Sequence, residues 1–139
     1  MCSGWEARTP RRLDDWKASV LLAVIALTLG VAASSRAADP LGDEARRAKR
    51  PFVVDFGMTR CGQCIEQGKV LERLKTTLGD RVLTRFVHIG KEEALAEAYK
   101  VLLIPTIVIF DARGTEVFRN VGLMPYDVLT GKLRELRLL

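Results

Sequence analysis

Two cysteines separated by two residues, Cys61 and Cys64, are the side chains best suited to chemistry. They follow an apolar run at residues 52–56 that is typical of a buried strand, and a helical pattern continues to about Leu78. Sulfurs one helical turn apart can close a disulfide without moving the backbone. At a helix start, unsatisfied N–H groups and the positive dipole end favour the thiolate of the first cysteine. We therefore predict Cys61 as the nucleophile of thiol–disulfide exchange and Cys64, one turn deeper and more buried, as the resolving cysteine.

The same cysteine spacing also occurs in structural zinc sites. Zinc would need two more soft ligands, and after residue 38 the chain offers only His88. Covalent haem attachment would need a histidine directly after the second cysteine, where this chain has Ile65. We therefore expect no metal and no cofactor other than the redox-active Cys61–Cys64 disulfide itself.

Composition indicates one small globular domain with an N-terminal extension. The chain has 139 residues, of which 48% are hydrophobic, and its net charge is +5. After residue 38 it carries 17 basic and 14 acidic residues, a balance that a solvated surface explains. It shows no basic stripe interleaved with aromatic residues, so we expect no nucleic-acid partner.

The N-terminal extension carries the pattern of an export signal. Residues 1–19 are polar and partly basic, and residues 20–33 form a run of fourteen without charge. That length matches the apolar region of a signal peptide and is shorter than the roughly 20 residues of a membrane span. Small side chains follow at residues 37–38, but the apolar stretch reaches eighteen residues if counted over 18–35. We therefore predict that residues 1–38 are either a signal peptide or an N-terminal membrane anchor.

Both alternatives predict an exported protein, because a basic N-terminal region stays in the cytoplasm. The expected location is periplasmic or otherwise extracytoplasmic, with a tether to the inner membrane only if the segment is not cleaved. Basic residues between positions 36 and 50 also crowd the other flank, so the orientation of an uncleaved segment is weakly specified.

Residues 39–139 are predicted to form the folded domain, with strands and helices in alternation. Asp39 and Pro40 are typical of a helix start, and Pro51 ends that helix. A parallel crossover and then an antiparallel hairpin are predicted, with a final amphipathic helix after residue 125. The apolar face of this last helix is predicted to comprise Val128, Leu129, Leu133 and Leu136. The other elements are expected at residues 52–57 (strand), to about 78 (helix), 81–89 (strand), 91–100 (helix), 106–110 (strand) and 115–121 (strand).

This order of elements resembles the thioredoxin family across nearly all of residues 51–138. Besides the two cysteines, the matching motifs are Val54-Asp55-Phe56, Ile104-Pro105-Thr106 and Val121-Gly122, each in its expected place. The resemblance implies an α/β thioredoxin-like fold, with a central four-stranded mixed sheet flanked by helices. It also implies a first N-terminal strand, for which this sequence offers no clear candidate.

The resemblance gives Asp55 a role in the chemistry. A carboxyl group within an apolar central strand is poorly solvated, which raises its pKa and suits it to accept a proton from Cys64. An aspartate at a strand edge that reaches water is the alternative interpretation.

The resemblance also implies a surface for an extended substrate chain. Pro105 would follow a cis peptide bond and face the cysteines, while Ile104 would offer its backbone to the substrate. Arg60, Gly62 and Gln63, which flank the cysteines, complete the predicted substrate-binding set. Ahead of them in the chain, residues 58–59 are either an apolar contact surface for partners or ordinary loop residues.

Four positions depart from the family pattern. Where thioredoxins have two tryptophans, this chain has Arg60 and Gly57, and Gln63 stands in place of the proline between the cysteines. Arg60 should favour the Cys61 thiolate. The family lysine near the buried aspartate aligns with Phe86, which leaves Asp55 without that cation.

These observations predict a monomeric thiol–disulfide oxidoreductase that exchanges its dithiol with protein thiols and disulfides outside the cytoplasm. We expect it to act mainly as a reductant, which requires a membrane electron donor, since the same site run in reverse would be an oxidase. Contact with the membrane is expected only through an uncleaved N-terminal segment. The alternative is a redox-inert thioredoxin-like binding module whose disulfide is structural.

Overall fold

The computed structural model describes residues 39–139, and the predicted signal peptide or anchor at residues 1–38 lies outside the described residues. The described part consists of four strands and four α-helices, with a single 3-10 turn at Gly79–Arg81. In chain order they are α1 (Pro40–Ala48), β1 (Phe52–Gly57), α2 (Gly62–Leu78), β2 (Leu83–His88), α3 (Glu93–Ala98), β3 (Thr106–Phe110), β4 (Glu116–Val121) and α4 (Tyr126–Glu135). None of these helices combines the length and the apolar run that crossing a membrane requires.

The four strands form one mixed sheet in the order β2-β1-β3-β4. Strand β1 runs parallel to β2 and antiparallel to β3, and β3 pairs with β4 as the predicted antiparallel hairpin. Every residue of β1 is buried, in keeping with a sequence that is apolar except for Asp55 and the terminal Gly57. The predicted mixed four-stranded sheet flanked by helices is confirmed, and no strand precedes Phe52 within residues 39–139.

Alternate residues of the central strands supply two separate cores, one on each face of the sheet. On one face, Val53 and Ile107 belong to a buried cluster with helices α2 and α4. On the other, Val54 and Val108 belong to a cluster with Leu41 of α1. Alternation places Asp55 on the same face as Val53, toward α2, which carries the second cysteine.

The last helix packs through a different set of residues from the predicted one. Leu129 and Leu133 are fully buried, but Val128 is 55% exposed, so the prediction that Val128 belongs to the buried face is wrong. The buried neighbour is Thr130, whose hydroxyl donates to the Tyr126 carbonyl at 3.0 Å. An internal acceptor lets a polar side chain occupy this position, which hydropathy alone would assign to solvent.

Candidate active site

The two cysteines lie at the start of α2 and form a disulfide. Cys61 is the N-cap residue of this helix, and its Sγ accepts a hydrogen bond from the backbone N–H of Cys64 at 3.3 Å. The two Cα atoms are 5.1 Å apart. Cys64 is buried, with 2% of its surface exposed, whereas Cys61 is partly exposed. The structure therefore leaves Cys61 partly accessible to solvent and buries Cys64.

The neighbours of the cysteines are open to solvent. Arg60, Gly62 and Gln63 are all exposed, and a Cβ atom built on Gly62 would meet nothing within 4 Å. Among residues 39–139, Arg60 makes no ion pair or side-chain hydrogen bond. All three residues are therefore accessible from solvent beside the disulfide.

The loop before β3 reaches the same end of the sheet as the cysteines. Phe56 pairs with Thr106 in the antiparallel β1–β3 ladder, so the start of β3 lies beside the end of β1. The Ile104–Pro105 peptide bond is cis, and Pro105 is buried. Its carbonyl accepts a hydrogen bond from the Gly122 N–H at 2.7 Å, which ties this loop to the end of β4.

Exposed leucines precede this loop. Leu102 is 90% exposed and Leu103 is 65% exposed, both unusually high for such large apolar side chains. Together with the half-buried Ile104 they form an apolar surface just ahead of β3.

Asp55 lies inside the sheet with no polar partner. It is fully buried, and neither carboxylate oxygen has a hydrogen-bond partner within the described residues. Strand neighbours flank it on both sides, Phe86 on β2 and Ile107 on β3, so it is not an edge residue that reaches water. Burial raises the pKa of Asp55 from 3.8 to about 7.

Phe86 stands where the resemblance would place a cation. As the register partner of Asp55 on β2, it shares the sheet face of that carboxyl. Its ring also approaches Gly57, where an added Cβ would lie 3.0 Å from Phe86 Cε2 and 3.1 Å from Cys64 Cβ. The absence of a side chain at position 57 therefore lets the Phe86 ring and Cys64 come together.

A buried glutamine behind the cysteines was missed by the sequence analysis. Gln67 is fully buried, and its Oε1 accepts a hydrogen bond from the Met124 N–H at 2.7 Å. The buried positions of α2 are Cys64, Gln67, Leu71 and Leu74. A polar residue three positions after Cys64, in line with two leucines, was the signal available in the sequence. Its role is to join α2 to the loop before α4.

His88 lies at the end of β2, beside Gly57. It is half-buried, and its Nδ1 has no hydrogen-bond partner among the described residues. Within residues 39–139, no three His, Cys, Asp or Glu side chains are grouped as metal ligands.

Comparison with known proteins defines the class to which this fold and disulfide belong. A family model described as a thioredoxin-like domain matches residues 42–137. Thioredoxin Y of rice chloroplasts is 28% identical over 102 residues, which span 73% of this chain and 60% of the rice protein. Thioredoxin of Rhodospirillum rubrum is 32% identical over 83 residues, 60% of this chain and 79% of that protein.

A solved structure shows the same fold. Chloroplastic thioredoxin z superposes with a TM-score of 0.62 over 68% of this chain and 86% of its own, at 23% identity. Because the family model covers residues 42–137, the chain belongs to the thioredoxin-like family. Fold, relatives and the Cys61–Cys64 disulfide together support a thiol–disulfide oxidoreductase in general terms.

Proposed function

We propose that this protein reduces disulfides in other proteins outside the cytoplasm, using the Cys61–Cys64 dithiol. The observation that carries the proposal is the asymmetry of the pair, because Cys61 is accessible at a helix start while Cys64 is buried beside it. A structural disulfide has no need of an accessible sulfur held at a helix N-terminus.

The exchange begins when the Cys61 thiolate attacks one sulfur of a substrate disulfide. A bond forms between Cys61 and that sulfur, and the other substrate sulfur leaves as a thiolate. Cys64 then loses its proton and attacks Cys61 Sγ, which re-forms the Cys61–Cys64 disulfide and releases the second substrate thiol. Two electrons have passed to the substrate, and the protein is left oxidised.

Asp55 serves in this scheme as the acceptor of the Cys64 proton. It lies on the sheet face that α2 covers, and its pKa of about 7 is close to neutrality. A base with a pKa near the working pH combines a useful ionised fraction with sufficient basicity. Because neither oxygen is engaged by another described residue, the carboxyl is free to take up a proton.

The substrate chain is proposed to lie against the Ile104–Pro105 loop. This loop and the exposed segment of Arg60, Gly62 and Gln63 lie at the same end of the sheet as the accessible Cys61. Backbone groups of an extended chain would pair with Ile104 while the mixed disulfide exists.

The proposals about location and electron supply are based on the sequence of the N-terminal segment. Its uncharged run and basic flank support export, with cleavage or anchoring as the two alternatives. A reductant outside the cytoplasm must receive electrons across the membrane, so we propose a membrane electron donor as a partner. We further propose that the protein acts as a monomer.

The test is the reduction potential of the Cys61–Cys64 pair. Purified protein would be equilibrated with dithiothreitol or glutathione buffers, trapped by alkylation and measured by mass. A value near about −270 mV supports a reductant, whereas one near about −120 mV would make the protein an oxidant. Cys61→Ser and Cys64→Ser variants are the controls. Sluggish alkylation of both cysteines after mild reduction, with no disulfide exchange, would instead support the redox-inert binding module.

A further inference from the structure

An open groove of about 310 Å³ lies beside the disulfide, and Cys64 forms part of its wall. Its largest lining side chains are apolar and incompletely covered. Met58 is 37% exposed, Ile65 is 49% exposed and Phe86 is 38% exposed. Three large apolar side chains that converge on one groove differ from apolar residues scattered singly over a surface, and such a cluster indicates a contact site.

One glycine lines this groove and another lies behind its wall. A side chain at Gly57 would meet Phe86 and Cys64, as described above. Gly68 lines the groove from α2, and a Cβ atom added there would meet nothing within 4 Å. A glycine in a helix interior makes the helix less stable than an alanine would. Gly68 therefore destabilises α2 while leaving space in the groove.

The groove lies on the opposite side of the disulfide from the Ile104–Pro105 loop. Strand β1, which leads to Cys61, has β2 on one side and β3 on the other. Phe86 belongs to β2, whereas the Ile104–Pro105 loop leads into β3. A polypeptide bound at Cys61 can therefore contact both sides, and the groove is separate from the substrate surface proposed above.

The charge of the lining residues indicates which charge a bound segment should carry. Of the residues that line the groove, only Glu72 is charged. Its carboxylate forms no salt bridge or side-chain hydrogen bond with another residue in the range 39–139. An apolar groove with one unpaired carboxylate is complementary to an apolar group next to a cation.

We propose that the groove binds a large apolar side chain of the protein substrate, from a segment that also carries a lysine or arginine for Glu72. A volume of about 310 Å³ is at the small end of ligand pockets and suits one such side chain. Because Cys64 lines the groove, an occupant is held beside the sulfur pair while its own disulfide is attacked. This inference rests on the proposed disulfide reductase function and adds a sequence preference to it.

The experiment fills the groove from inside the protein. Gly68→Leu places an apolar side chain in the groove, where the backbone leaves space for it. Gly131→Leu is the matched control, since Gly131 is also helical, also has open space around it and does not line the groove. Both changes replace a helical glycine with a better helix former, so both variants should fold.

The probes are synthetic cystine peptides and the small neutral compound hydroxyethyl disulfide. In the peptides, a Leu-Lys pair is moved through three positions on each side of one cysteine, and Ala-Lys and Leu-Glu versions serve as references. The pre-reduced protein is mixed with each probe, and the second-order rate constant of reduction is measured. In each reaction the protein dithiol becomes the Cys61–Cys64 disulfide and the probe disulfide becomes two thiols.

We expect the wild type to reduce the best Leu-Lys peptide about tenfold faster than its Ala-Lys counterpart, since burying the larger side chain favours the complex. Gly68→Leu should remove this preference and leave hydroxyethyl disulfide unaffected, whereas Gly131→Leu should change neither rate. Glu72→Gln should reduce the preference for lysine over glutamate severalfold at low salt.

Equal rates for Leu-Lys and Ala-Lys peptides in the wild type would overturn the groove proposal and leave the reductase function intact. The groove proposal would also be overturned if Gly68→Leu slowed the reduction of hydroxyethyl disulfide as much as that of the Leu-Lys peptide. The substitution would then act on the cysteines themselves. If the reduced wild type reacted with none of the probes, the reductase function itself would be refuted.

Discussion

The two ends of the central sheet each hold a buried aspartate, and the pKa values of the two carboxyl groups are shifted in opposite directions. At the end away from the cysteines, Asp111 follows β3 and is 7% exposed. Its Oδ1 accepts hydrogen bonds from the backbone N–H groups of Arg113 and Thr115, both at 2.9 Å, and its Oδ2 accepts one from the Arg113 side chain. Burial alone would raise the pKa of Asp111, but these donors outweigh burial and lower it.

At the cysteine end, Asp55 has the same carboxyl group and no donor, and its pKa is raised to about 7. The contrast shows that burial alone does not decide the charge of an aspartate, because hydrogen-bond donors can reverse its effect. It also shows where buried polar groups lack hydrogen-bond partners. Within residues 39–139, the buried side-chain atoms without a partner belong to Asp55, Gln67 and His88, all near the end of the sheet that carries the disulfide.

The largest expected effect is on the free energy of unfolding above pH 7. An ordinary aspartate pKa is 3.8, so between pH 3.8 and about 7 the folded protein binds more protons at Asp55 than the unfolded chain does. Stability therefore falls as pH rises through this range. Asp55→Asn removes this penalty and should raise the free energy of unfolding by about 4 kcal/mol above pH 7, and by almost nothing below pH 3.8.

Urea unfolding of the oxidised protein, followed by circular dichroism at several pH values, measures this difference. A constant difference between variant and wild type across the whole pH range would show that Asp55 does not titrate as described.

The second prediction concerns the rate of resolution. Without a carboxylate to accept the Cys64 proton, Asp55→Asn should slow release of a substrate from the mixed disulfide about a hundredfold at neutral pH, or about 2.7 kcal/mol. In the wild type this rate should rise as pH increases through about 7, because only the ionised carboxylate accepts a proton. Stopped-flow measurement with a fluorescent peptide disulfide gives the rate.

Asp111→Ala is the control for that experiment, since it removes a buried carboxyl far from the cysteines. If it slows resolution as much as Asp55→Asn does, the proton-acceptor role of Asp55 is wrong.

The third prediction tests the structural aspartate. Asp111→Ala leaves two backbone N–H groups without their acceptor and should lower the free energy of unfolding by about 2 kcal/mol at pH 7. Because the pKa of Asp111 is lowered, the stability from its charge is present above the unfolded value of 3.8 and is lost as pH falls through the folded pKa. The same urea experiment should thus give opposite signs for changes at Asp55 and Asp111.

The smallest predicted effect comes from adding a cation beside Asp55. Phe86→Lys introduces a positive charge on the neighbouring strand and should lower the pKa of Asp55 by about one unit, which is about 1.4 kcal/mol. The pH dependence of stability and of resolution should shift to lower pH together. Val128→Lys adds the same charge at an exposed apolar position on α4 and should shift neither.

Much of this architecture could be predicted from local patterns. The apolar run of β1, the helix after Cys61 that ends at Leu78 and the β3–β4 hairpin lie close to their predicted places. Periodicity and turn residues carry that information, since they depend on neighbours in the chain. The proposed export of the protein still depends on residues 1–38 alone and stays a prediction.

The sequence by itself determined the cysteine pair, its place at a helix start and the family to which the chain belongs. Only the tertiary structure decided which polar groups lose contact with water, as with Gln67 and Asp55, and which apolar ones keep it, as with Val128. It also brought Met58, Gly68 and Phe86 together into a groove beside Cys64. The physical reason is that burial at one residue is decided by elements distant in the chain, and local patterns do not record which elements will pack there.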